Sequence, residues 1–239
     1  MGKSRFALQA AGAYLLFRLM TLALQPFEAV FAYGDWGLFH TLARMGLPFI
    51  DYWSEYPPLF PFISSLAFWA GGGKEHVYVY LLALVLALGG ALSIFAFAKL
   101  SEGIFSTSEE ARNRTMLYMF FVMALSFGWL YFDQVTVALS LVAILLTWGR
   151  KDIAAGVALG LGILTKWFPV LLFPVLVKKL NWRRLLKIAL VGLGLTALVL
   201  GALYLASPEM TELHSWLMPR RALGERSGPY SIATLRPEI

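Results

Sequence analysis

Asp35, Lys166 and the pair Arg220–Arg221 are the side chains whose type and placement point to chemistry. Asp35 lies in "AYGDWGLFHTLARMGLPFIDYW", beside Tyr33 and Trp36. A carboxylate partly desolvated by such neighbours can take a proton from an attacking hydroxyl, which makes it a candidate general base. Its plainer reading is an exposed loop acid, or the N-cap of the helix that follows. Lys166, between "LGILT" and "WFPVLLFPVL", is the most isolated charge in the chain. A cation inside a membrane costs about 2.5–3.5 kcal/mol on insertion scales, so it calls for an anionic partner. A phosphate is one; Asp133, at a predicted helix end on the same side, is the other. Arg220 and Arg221, with Arg226 nearby, offer guanidiniums suited to bidentate phosphate contacts or to anchoring at headgroups. The stretch "YWSEYPPLF" supplies a frame for such a site. Pro57 and Pro58 remove two backbone donors and push Tyr56 towards an extended conformation. Asp51 and Glu55 are weaker base candidates, better suited to ordering this turn by hydrogen bonding.

Elements able to position these groups must be membrane helices. The 239 residues are 59% hydrophobic and 14% charged, too apolar for a globule with a polar skin. The net charge of +6 comes in short clusters between apolar runs, the pattern of membrane-orienting charge and not of a nucleic-acid surface. With no cysteine, disulfides, iron–sulfur clusters and thiolate zinc sites are excluded, and His40, His76 and His214 show no ligand spacing. The N-terminus has a basic start and a long apolar run that includes Arg18, which reads as a retained first helix.

Apolar runs fall at about 6–25, 57–70, 77–98, 115–131, 135–148, 153–165, 167–177 and 188–206. Lys3 and Arg5, the loop from Lys99 to Arg114, "GRK" at 149–151 and "KKLNWRRLLK" at 178–187 are expected inside by their positive charge. Only one of the two runs between residues 26 and 98 can then cross. The run at 57–70, opened by Pro57-Pro58, containing Pro61 and ending in "GGG", is the one left outside as an interfacial or re-entrant helix. The expectation is an all-α polytopic fold of about seven transmembrane helices, several of them short, forming a single domain over residues 1–239. Loop 26–76 and tail 207–239 lie outside. Residues 153–177 form either a pair turning at Lys166 or one kinked helix broken at Pro169. Short and interrupted crossings imply a cavity near the outer face, because unpaired backbone at membrane depth needs protein or water to satisfy it.

The acid after the first helix, "GLPFIDYWSEYPPLFPF" and "AAGVALGLGILTKWFPVLLFPVL" together resemble the GT-C superfamily of polyprenol-phosphate-sugar glycosyltransferases. The resemblance is strongest to glycosyltransferase family 87, the alpha-mannosyltransferase-like group, and covers roughly residues 1–180. It implies an inverting transfer of a hexose, mannose by the resemblance, from a polyprenyl-phosphate donor to a hydroxyl of a lipid or glycan acceptor. The site would face the outside of the plasma membrane, in glycolipid or cell-envelope biosynthesis. Asp35 would be the base, and Glu55, Tyr56 and Pro57 would frame the site. Lys166 matches only through its Lys-x-x-Pro element, and its phosphate role is argued from charge. No cofactor is required, since the phosphate ester is already a leaving group. Members of such families are longer, so the chain is expected to be a fragment or a compact relative. Two other classes fit broken helices and an intramembrane cation: a transporter or flippase for lipid-linked sugars, which would not need Asp35 as a base, and a non-catalytic membrane scaffold.

Overall fold

A computed structural model of the chain describes residues 3–31, 35–124 and 131–208. These residues build helices joined by turns, and no named strand occurs among them. The first long helix, α1 (Lys3–Leu24), stops just before Pro26, as the residue preceding a proline is driven out of helical geometry. Short helices α2 (Phe27–Phe31) and α3 (Trp36–Ala43) follow, then α4 (Leu59–Ala70). Pro58 is the N-cap of α4 and Pro61 sits in its first turn, where a missing N–H is tolerated. The helix ends in a glycine turn: Gly72 and Gly73 take φ of 58° and 72°, and their N–H groups close on Trp69 and Phe68 carbonyls.

The rest of the bundle is α5 (Glu75–Ile104), α6 (Ser108–Ala124), α7 (Asp133–Trp148), α8 (Asp152–Thr165), a 3₁₀ turn (Phe168–Leu172), α9 (Phe173–Lys179) and α10 (Trp182–Ala206). Among the described residues, three stretches are long and apolar enough to cross a membrane unaided: Arg5–Leu24, Glu75–Ile104 and Trp182–Ala206. Helices α4, α7 and α8 are apolar but shorter. The protein is thus an all-α membrane protein. The run expected at 115–131 begins earlier, at Ser108, because a polar first turn with Glu109 and Glu110 suits a helix N-terminus. The run expected at 77–98 extends to Ile104, its last turns held by a Lys99–Glu102 ion pair of 2.7 Å.

Contacts between helix ends fix two opposite ends of the bundle. At one, Arg184 opens α10 and binds Asp152, first residue of α8, while donating 2.6 Å to the Thr147 carbonyl at the close of α7. Arg112 lies over the Phe6 ring at this same end. At the other, Arg18 near the end of α1 donates 2.7 Å to the Val122 carbonyl at the end of α6. A buried guanidinium that binds a main-chain carbonyl of a neighbouring helix ties the two helices together. Both ends of α4 belong to this second end: Phe60 stacks on Phe132 just before α7, and Gly71 abuts Tyr78 in the first turn of α5. Thus α4 leaves and returns to one end without traversing the bundle. The segment after Lys166 is not a continuation of α8. Pro169 and Pro174 break it into a 3₁₀ turn and α9, and Leu176 packs with Ala155, Leu159 and Ile188, back along α8.

Candidate active site

The second end of the bundle collects the chemistry. Its core joins Trp36, Phe39, Tyr52, Phe60, Tyr78, Leu82 and Phe132, so the segment between α1 and α5 is seated on the starts of α5 and α7. Apolar residues at helical spacing in α3 face this protein core, with Trp36, Phe39, His40, Leu42 and Ala43 buried, and not a membrane surface. The segment 46–52 is a closed turn. Gly46 has φ of 130°, a Cβ there would meet the Asp51 carboxylate at 2.2 Å, and that carboxylate accepts 2.7 Å from the Leu47 N–H. Phe49 holds φ of 62° while fully buried, its N–H donating 2.8 Å to the Tyr52 carbonyl. Asp51 is therefore spent on backbone geometry ahead of the Tyr-Pro-Pro step, a different turn from the one the sequence pointed to.

Asp35 occupies the N-cap position of α3, yet its side chain makes no capping hydrogen bond. It instead accepts from the Tyr56 hydroxyl at 3.3 Å. The Tyr56 backbone N–H donates to Ser54 Oγ at 3.3 Å, and its ring lies 5.8 Å from Phe39 and 4.9 Å edge-on to Phe132. Burial, then the Asp35 and Glu55 carboxylates, push the Tyr56 phenol far above its ordinary range, so it stays a neutral donor.

Lys166 is the C-cap of α8, in extended geometry, and Asp133 is the first residue of α7. The Lys166 ammonium donates to Asp133 Oδ1, each charge at the helix end whose dipole favours it. Both side chains remain about a third exposed, at 32% and 37%. The ammonium also stands 5.1 Å from the centre of the Phe132 ring. Phe132, 3% exposed, is the residue that sequence reasoning missed: Tyr56 touches its edge, Phe60 stacks on it at 3.9 Å, and Lys166 stands over it. Its only sequence signal was a place beside the acid of "YFDQ".

Of the residues singled out in the sequence, Tyr56 and Lys166 both meet the Phe132 ring, Asp35 and Glu55 act on Tyr56, Asp133 binds Lys166, and Pro57 and Pro58 lead from Tyr56 into α4. Arg220, Arg221 and Arg226 lie outside the described residues. Among the described residues, no group of three or more His, Asp or Glu side chains is arranged to hold a metal ion. A carboxylate with no capping duty, reached from the buried Phe132 through Tyr56, and a partly exposed ammonium over the same ring can respectively accept a proton and hold an anion.

No curated protein and no solved structure matches the chain. The model of glycosyltransferase family 87 matches residues 55–228. That span includes Tyr56, Phe132, Asp133 and Lys166; it reaches further towards the C-terminus than the resemblance drawn from sequence motifs and begins after Asp35. As the match covers more than half of the chain, this membrane protein belongs to glycosyltransferase family 87.

Proposed function

We propose that the protein transfers a hexose, mannose in the first instance, from a polyprenyl-phosphate-sugar donor to a hydroxyl of a lipid or glycan acceptor, at the external face of the plasma membrane. The reading is carried by one observation: Asp35, free of capping, and Lys166 stand on the same buried aromatic cluster at one end of the bundle. In this mechanism Asp35 takes the acceptor's proton as the acceptor oxygen bonds to C1 of the sugar. The C1–O bond to phosphate breaks in the same displacement, its electron pair leaving on the polyprenyl phosphate, and the anomeric configuration inverts. Lys166 holds the donor phosphate and offsets its growing charge, with Arg220 and Arg221 as further phosphate ligands. No cofactor enters, because orientation, proton removal and leaving-group stabilisation are all supplied by side chains.

Asp35→Asn tests the assignment, since the amide keeps the size of the carboxylate but cannot accept the proton. In proteoliposomes given polyprenyl-phosphate mannose and a glycolipid acceptor, transfer is expected to fall about 10²–10⁴-fold, with donor binding preserved. Activity within a few-fold of wild type would move the base elsewhere, to Glu55 first.

A further inference from the structure

We infer that Tyr56 is a positioning residue for the base: its hydroxyl donates to Asp35 Oδ2 and turns the carboxylate so that Oδ1 is left to take the acceptor's proton. The inference rests on the reading of Asp35 as the base. Asp35 stands at the start of α3, where the helix N–H groups are the usual partners of an aspartate, yet the carboxylate accepts from a side chain twenty-one residues away. That arrangement needs a donor that cannot drift, and Tyr56 is held at every level. Pro57 restricts its backbone, Ser54 Oγ receives its N–H, and Phe39 and Phe132 confine its ring. Burial and two neighbouring acids keep the hydroxyl protonated, so it donates throughout the working pH range. The "SEYPP" stretch thereby gains a chemical role beyond framing: the prolines fix a tyrosine, and the tyrosine fixes the base.

Among the described residues, the charged groups around this hydrogen bond are few. Glu55, on the same loop, also lies within hydrogen-bonding reach of the Tyr56 hydroxyl, whose single proton is donated to one carboxylate at a time. Across the Phe132 ring lie Lys166, from the end of α8, and Asp133, from the start of α7. His40, further along α3, is turned away to the Gly73 carbonyl and the rings of Phe68 and Tyr78. A donated hydrogen bond fixes which carboxylate oxygen faces the acceptor, so losing it misaligns the base and must lower kcat while donor binding is kept.

The test compares wild type, Tyr56→Phe and Asp35→Asn in detergent micelles, with a short-chain polyprenyl-phosphate mannose as donor and octyl mannoside as acceptor. Tyr56→Phe keeps the ring and its packing. It is expected to lower kcat about tenfold with the donor KM unchanged, the size of one charge-assisted hydrogen bond lost from the transition state. The carboxylate stretching band in the infrared, assigned at fixed pH by its disappearance in Asp35→Asn, needs no substrate and should shift in frequency when the hydrogen bond is lost. If Tyr56→Phe folds poorly, 3,5-difluorotyrosine placed at position 56 is the stronger donor and should shift the band in the opposite direction. An unchanged kcat and band in these variants, with Asp35→Asn inactive, overturn the inference alone. An active Asp35→Asn overturns the base assignment itself, and the positioning role with it.

Discussion

At Lys166 two anions compete for one ammonium. Asp133 holds it in the resting protein, and the proposed donor phosphate must reach it in the working one. The pair is partly exposed, so solvent screens it, and its worth to the fold is about 1 kcal/mol or less. A hydrogen bond from that ammonium to a phosphate is worth more, roughly 1.5–3 kcal/mol. Lys166→Met should therefore weaken donor binding by about tenfold or more while lowering the thermal midpoint only slightly. In the double-mutant cycle with Asp133→Asn, the coupling in stability should be small. Donor affinity unchanged by Lys166→Met, with strong coupling in stability, would assign the lysine to Asp133 alone and leave the arginines of the tail as phosphate ligands.

Helices α8 and α10 run side by side, with both N-terminal ends at the Arg184–Asp152 contact, and they meet through glycine. A Cβ at Gly160 would stand 2.7 Å from the Gly192 carbonyl oxygen, and one at Gly156 would stand 2.9 Å from the Ile188 carbonyl oxygen. Small residues at four-residue spacing let two membrane helices approach to backbone contact, and here nothing flexible is available to give way. Gly160→Ala must push the helices apart, at about 1–3 kcal/mol, the usual cost of overpacking. Gly194, with nothing within 4 Å of its would-be Cβ, is the internal control: Gly194→Ala should leave the thermal midpoint unchanged or raise it slightly. Equal effects of the two alanines would mean that this seam does not set helix spacing. Because α8 ends in Lys166, a displaced α8 should also weaken donor binding.

Taken whole, the bundle places Ile50 and Lys74 at the end that carries the aromatic cluster, and Lys151 at the opposite end with Arg184 and Asp152. All three positions are exposed, and the chain has no cysteine of its own. Ile50→Cys and Lys74→Cys should react with an impermeant maleimide in intact cells, whereas Lys151→Cys should react only after permeabilisation. The reverse pattern would put the site inside and require a donor presented from the cytoplasm. Ser54 is unsuitable as a probe because it is buried.

Much of this architecture was legible in the sequence for a local reason. Burying charge in hydrocarbon is costly wherever the segment ends up, so clusters such as "GRK" and "KKLNWRR" marked one end of the bundle. Proline and glycine act on their own neighbours, so Pro57-Pro58, "GGG" and Pro169 marked the breaks around α4 and after Lys166. The same reasoning required that Lys166 have an anionic partner. What it could not choose was which one, because Asp133 lies thirty-three residues away and meets Lys166 only once α7 and α8 pack antiparallel. Tyr56 likewise reaches Asp35, and Phe132 links Tyr56 to Lys166, only through the docking of the 25–74 segment on the starts of α5 and α7. Charge and backbone preference are properties of a few adjacent residues, whereas a hydrogen bond or a ring contact between distant residues exists only where packing brings them within about 3–6 Å.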